Sequence, residues 1–275
     1  TAPILGLSFC DDTYAPKDAS TKRLEGPMDL TLARLATHLD QARQRHLPVF
    51  VWMHLLATHP IKGRFVPHPD FDFGGSRTAQ YESAVAGSDV WLGAIEELMA
   101  GRLDRDRPTV WFIFADHGVH TGTSSRDLRE GVVRVPLIVV APGVAAQVDD
   151  RLIDVSLDLA ATVVDLVGIP PPPEYDGVSL IPLLAGLPAE PMSSRLIPLS
   201  SEHGWSGAIH GRYKYIRHLE VRSLFDLVAD PAEEREIIAR GTLERQCRHE
   251  GRQLGARHFV AAGLRHRASE RSRVA

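Results

Sequence analysis

A chain of 275 residues with 44% hydrophobic content can bury a full core, and fits one large α/β domain or such a domain with a small appendage. Charged residues make up 24% and the formal net charge is -4, so there is no basic surplus for a nucleic-acid backbone and no nucleic-acid partner is expected. The two cysteines, Cys10 and Cys247, lie at opposite ends, without zinc-site spacing or the density of a disulfide scaffold. No apolar run reaches the roughly 18 residues of a membrane helix. No signal peptide precedes the first element and the sequence begins at Thr1, so a mature product or a piece of a longer protein is expected.

In chain order, Leu32, Leu35, Ala36 and Leu39 recur at helical spacing across residues 29–46, and Pro48 breaks the pattern before the buried strand Val49–Met53. The polar, Gly-rich stretch 62–78 reads as a long loop of the kind that is often functional. Ala84, Ser88, Trp91, Leu92, Ile95 and Met99 then form one stripe of a second helix. Two apolar runs without alternation, 109–115 and 135–141, read as strands of a sheet covered on both faces, whose members are mostly parallel.

A further helix is expected at 156–167, stopped by Gly168 and the prolines at 170–173. Short strands at Leu196–Ser200, 208–218 and 223–227 predict a small antiparallel C-terminal subdomain. Residues 240–275 are crowded with Arg, His and Glu and read as a surface helix and frayed tail. The expected organisation is an α/β core over 1–190, a β subdomain over 191–238 and a charged tail, helical or disordered, over 239–275.

Asp116-His117-Gly118 directly follows the apolar run 109–115 and places two metal-ligand side chains at a strand end. In an open α/β sheet the crevice outside the carboxyl ends of the strands is where ligands bind, and an acid with an imidazole there points to a metal. The alternative is that Asp116 caps the next helix and His117 is an ordinary loop residue. Other constellations fail, for there is no Gly-x-Ser-x-Gly elbow, no Gly-x-x-x-x-Gly-Lys phosphate loop and no His-Glu-x-x-His.

Several stretches together resemble the sulfatase family, within the alkaline phosphatase superfamily of metal-dependent hydrolases. Val49-Phe-Val-Trp-Met-His-Leu-Leu-Ala-Thr-His-Pro60 is similar to the family's His-containing loop, Phe112-Ile-Phe-Ala-Asp-His-Gly118 to its metal-binding strand end, and Glu130-Gly-Val-Val-Arg-Val-Pro136 to the lead into the next core strand. Ser156-Leu-Asp-Leu-Ala-Ala-Thr162, Gly168-Ile-Pro170 and Asp176-Gly-Val-Ser-Leu180 resemble its helix and following loop, and Tyr213-Lys-Tyr215, Leu224-Phe-Asp-Leu227 and Asp230-Pro231 its C-terminal subdomain.

The resemblance implies an alkaline-phosphatase-like fold, hydrolysis of a small-molecule or glycan sulfate ester, and one divalent cation, Ca2+ with Mn2+ or Zn2+ as alternatives. Asp116 and His117 would be metal residues, with His117 a direct ligand of a Mn2+- or Zn2+-like ion or an outer group for Ca2+. His59, just before Pro60, would protonate the leaving group or hold an ester oxygen. His54 reads as a hydrogen-bonded core histidine. Where many members place an ester-contacting lysine, this sequence offers Arg126 or Arg129, and Arg126 is taken as the oxyanion clamp.

The departures are as informative. Cys10 is followed by Asp-Asp-Thr-Tyr and Cys247 by Arg-His-Glu-Gly, so neither has the Pro and Arg of the motif that family members oxidise to formylglycine. Asp11-Asp12 compares with the family's metal-binding aspartate pair but fits better an irregular segment before the first helix. The sequence therefore resembles the C-terminal half to two-thirds of such an enzyme, and implies a missing N-terminal half or a partner chain bearing the nucleophile. Phosphate mono- or diester hydrolysis, phosphoryl transfer, or a non-catalytic binding descendant are the alternative readings. Members are often secreted, periplasmic or lysosomal, and no compartment is assigned.

Overall fold

The computed structural model describes residues 5–9, 25–60, 64–103, 108–119, 127–173, 175–188, 195–201, 203–219 and 221–237. The chain divides into two compact units, Thr1–Thr109 and Val110–Ala275. Cys10, Asp11, Asp12, Arg126, Cys247 and the charged tail lie outside the described residues. Among the described residues no helix is long and apolar enough to cross a membrane.

The first unit holds β1 (Leu5–Phe9), α1 (Glu25–Gln44), β2 (Val49–Met53) and α2 (Arg77–Arg102). β1 and β2 pair in parallel, Leu5 opposite Val49 and Phe9 opposite Met53. α1 starts earlier than the sequence pattern indicates, because Pro27 falls in the first turn, where a proline removes no intrahelical hydrogen bond. Its expected stripe is real, since Leu35, Leu39 and Ala42 are buried one helical turn apart. It ends where Leu47 N donates to Ala42 O at 3.0 Å and His46 adopts a left-handed φ of 53°.

α2 packs against α1 and begins at Ser76, whose hydroxyl accepts from Ala79 N at 3.1 Å. The long loop before it is pinned to the helix. Ser83 Oγ accepts from His68 N at 2.8 Å and donates to Phe71 O at 2.6 Å, while buried Phe65 lies 5.1 Å from the Tyr81 ring. The small residues Ser83, Ala84 and Gly87 are what allow this approach: a Cβ on Gly87 would meet the His68 ring at 2.8 Å.

The second unit holds β3 (Trp111–Phe114), the single turn α3 (Glu130–Val133), β4 (Leu137–Val140), α4 (Val155–Leu166), the single turn α5 (Ile181–Leu184) and strands β5 to β8. β3 and β4 run antiparallel, Trp111 opposite Val140 and Phe114 opposite Leu137, which corrects the parallel expectation for this pair. A parallel return needs a full crossover, usually a helix, and the described part of this connection contains only α3. Among the described residues of this unit, β4 is covered on one face. Ile138 and Val140 are each 54% exposed and alternate with half-buried Leu137 and Val139.

The covered face of this pair is built by α4 and α5, where Leu159, Leu180 and Leu183 pack with Phe112, Phe114 and Leu137. Fully buried Asp158 on α4 accepts from Asp154 N and Val178 N, both at 2.9 Å, and forms a two-pronged pair with Arg195. Gly168, with φ 70°, ends α4 where the sequence places the stop.

β5 (Leu196–Ser200), β6 (Trp205–His210), β7 (Tyr213–His218) and β8 (Val221–Asp226) form an antiparallel sheet in that order, antiparallel as expected but with four strands in place of three. The expected single strand 208–218 is two strands, because Gly211, with φ 55°, turns the chain with Arg212. The core of this sheet, Ile216 and Phe225, is closed by Leu128 and Val133 from the segment around α3.

Candidate active site

β3 stops at Phe114, and Asp116 and His117 follow at its carboxyl end. Asp116 Oδ1 accepts from His117 N at 2.9 Å, a local turn that fixes the carboxylate beside the imidazole. Asp116 does not cap a helix, since residues 117–119 directly after it are not helical. His117 Nδ1 lies 2.9 Å from Gly118 O, a carbonyl that can only accept, so Nδ1 is the donor in this contact. Nε2 is 3.7 Å from Asp116 Oδ2, and the two side chains are 52% and 61% exposed.

Gly118 locks this strand end to α3. Its N–H donates to Val132 O at 2.7 Å, and a Cβ there would fall well under 3.0 Å from Gly131 O. Only glycine admits that approach of two backbones. The placement of Asp116 and His117 is therefore set by the segment 130–133, whose similarity to a family segment is visible in the sequence.

A carboxylate oxygen and an imidazole nitrogen stand 3.7 Å apart, a spacing that two ligands of one ion can have. The Gly118 carbonyl orients the ring from behind, the usual arrangement around a ligating histidine. These residues fit part of a divalent-cation site. Among the described residues no group of three or more His, Cys, Asp or Glu gathers to complete one.

His59 is exposed in the turn after β2, its N–H donating to Leu56 O at 3.0 Å, and it belongs to the first compact unit while Asp116 and His117 belong to the second. His54 is exposed and is not a core histidine, because it lies past the last paired residue of β2. Arg126 lies outside the described residues. Arg129 is engaged elsewhere: Nη1 donates to Glu233 O at 2.6 Å and the guanidinium lies 4.7 Å from the Phe225 ring centre.

One cluster near the site escaped the sequence reading. Lys214 on β7 is fully buried and reaches Glu130 Oε1 at 2.7 Å and Glu233 Oε1 at 3.0 Å. Strand alternation was the available signal, since Lys214 and Ile216 share the inward face of β7.

A carboxylate–imidazole pair thus stands at the C-terminal end of a strand, in a unit where helices pack on strands, as in an α/β protein. The chain belongs to the Sulfatase family, whose model matches residues 6–169. Mouse (Mus musculus) arylsulfatase K is 30% identical over 173 residues, covering 56% of this chain and 31% of that protein. Choline-sulfatase of Rhizobium meliloti (strain 1021) is 34% identical over 138 residues, covering 46% of this chain and 26% of that protein. A solved 2-O GAG sulfatase superposes with a TM-score of 0.57 at 26% identity, over 70% of this chain and 44% of that one. The chain thus spans less than half the length of each of these relatives.

Proposed function

We propose that this chain is the C-terminal part of the catalytic domain of a metal-dependent sulfate-ester hydrolase, with Asp116 and His117 as its cation residues. The observation that carries the reading is the Asp116–His117 pair at the end of β3, inside the segment matched to the Sulfatase family. In the whole domain the sheet is mostly parallel with helices on both faces, β1–β2 being one such pair and β3–β4 its antiparallel element. The nucleophile comes from a portion outside this chain, in keeping with the absence of its motif around Cys10 and Cys247.

Asp116 supplies an anionic oxygen to the cation, Ca2+ foremost. His117 stands as its neighbour through Nε2, a direct ligand if the ion is Mn2+ or Zn2+. When bound, the cation polarises the ester and stabilises negative charge. His59 protonates the leaving oxygen or holds an ester oxygen, and Arg126 clamps the equatorial oxygens with its planar fork. The alcohol half of a small-molecule or glycan sulfate is read by loops such as 62–78, which Ser83 holds to α2.

The test begins with the native polypeptide, sized in its source cell by immunoblot against residues 149–158. A species much larger than 30.3 kDa points to a full-length enzyme with a nucleophile-bearing half, and a species of this size favours a split enzyme needing a partner or a binding module that has lost its chemistry. In that complete enzyme Asp116→Ala should abolish both cation retention and sulfate-ester cleavage. Undiminished turnover would overturn the site, and cleavage of phosphate esters in place of sulfate esters would overturn the substrate class.

A further inference from the structure

We infer that Lys214, together with Glu130 and Glu233, is a positioning residue for the Asp116–His117 strand end. A lysine with no exposed surface is costly unless paired, and an apolar side chain would serve the inward face of β7 as well. Lys214 Nζ donates to Glu130 Oε1 at 2.7 Å and stands 3.0 Å from Glu233 Oε1, the latter without hydrogen-bond geometry. Arg129 joins the cluster through the Glu233 backbone carbonyl.

All of these interactions converge on the start of α3. Glu130 is held through its side chain by Lys214 and through its backbone N–H by Glu233 Oε2 at 2.6 Å, while Arg129 donates to Glu233 O at 2.6 Å. Glu233 has a left-handed φ of 56°, a conformation a glutamate keeps only where tertiary contacts fix it. The β subdomain thereby grips one helical turn from two side chains and one backbone group.

From α3 the constraint passes directly to the strand end. Val132 O accepts from Gly118 N at 2.7 Å and Gly131 O abuts Gly118, so a displacement of α3 moves Gly118 with it. Gly118 O orients the His117 ring at 2.9 Å, and Asp116 Oδ1 is tied to His117 N at 2.9 Å. Without the ammonium, Glu130 and Glu233 become two like charges facing each other, and α3 must give.

That Asp116 and His117 hold a cation rests on the proposed function, but the mechanical link does not. Hydrogen exchange resolved to single amides, on the full chain, compares wild type with Lys214→Met and Glu130→Gln. Gly118 should exchange about ten-fold faster in both variants while Ile216 and Leu224 in the sheet are unchanged. Calcium affinity, measured by titration with the metal alone, should fall by about ten-fold.

Unchanged exchange at Gly118 in either folded variant would overturn the inference, as would equal acceleration of Gly118 and the sheet amides. Should Lys214→Met fail to fold, Glu130→Gln, which keeps shape and an acceptor, decides alone. A wild-type chain that binds no calcium would refute the cation reading, while the exchange ratio still judges the link.

Discussion

Replacing Gly118 with alanine tests how tightly the strand end is built. The backbone there is not left-handed, so alanine is conformationally allowed, and on chain entropy alone it would stabilise by about 0.4–1 kcal/mol. Sterics oppose this. The new Cβ would lie well under 3.0 Å from Gly131 O and 3.1 Å from Gly131 C, both backbone atoms that no side-chain rotation can move. Relief separates residue 118 from α3 and stretches the 2.7 Å bond from Gly118 N to Val132 O past useful range. Overpacking costs about 1–3 kcal/mol and an unmade buried hydrogen bond about 1–3 kcal/mol, so steric cost exceeds entropic gain and the net loss is about 3 kcal/mol. Urea unfolding followed by tryptophan fluorescence measures it. Gly93→Ala is the control. It sits inside α2 with nothing within 4 Å of the new Cβ and should stabilise by about 0.5–1 kcal/mol. A Gly118→Ala protein as stable as wild type would refute the claim that backbone contact with α3 fixes the strand end.

Two further predictions concern the α4 region. Asp158→Ala strands the Arg195 guanidinium and should cost about 3–5 kcal/mol, whereas adding Arg195→Met should recover only part of it, because Asp154 N and Val178 N still lack their acceptor; a double-mutant cycle showing additive losses would contradict the buried pair. Asp154 has its pKa raised, first by burial and then by the neighbouring Asp158 charge. The folded state therefore binds this proton more tightly than the unfolded state, and the associated stability is present below pH 3.8 and lost as pH rises through the raised folded value. Asparagine keeps the cap to Ser156 N at 3.0 Å without the charge, so Asp154→Asn should be more stable than wild type at pH 7 and lose that advantage below pH 3.8. An equal effect at both pH values, read from chemical denaturation, would rule out the electrostatic account.

Local pattern made much of this architecture legible. The Leu35–Leu39 stripe, the strand Val49–Met53, the Gly168 stop and the C-terminal strands all follow from spacing and breakers, because periodicity reports which side of an element is wet. Continuous apolarity over 135–141 predicts cover on both faces, while among the described residues Ile138 and Val140 are half exposed. Reading 208–218 as one strand overlooked that Gly211 with one more residue suffices for a hairpin turn.

The candidate site divides in the same way. By itself the sequence determined the acid and imidazole after an apolar strand, the glycine behind them and the missing nucleophile motif, since these are matters of residue type and adjacency. Only the tertiary structure decided that Gly118 abuts Gly131, that Asp158 closes on Arg195, and that Lys214 reaches Glu130 and Glu233. Those contacts join residues distant in the chain, and their energies depend on burial and distance, quantities that exist only once strands and helices have packed.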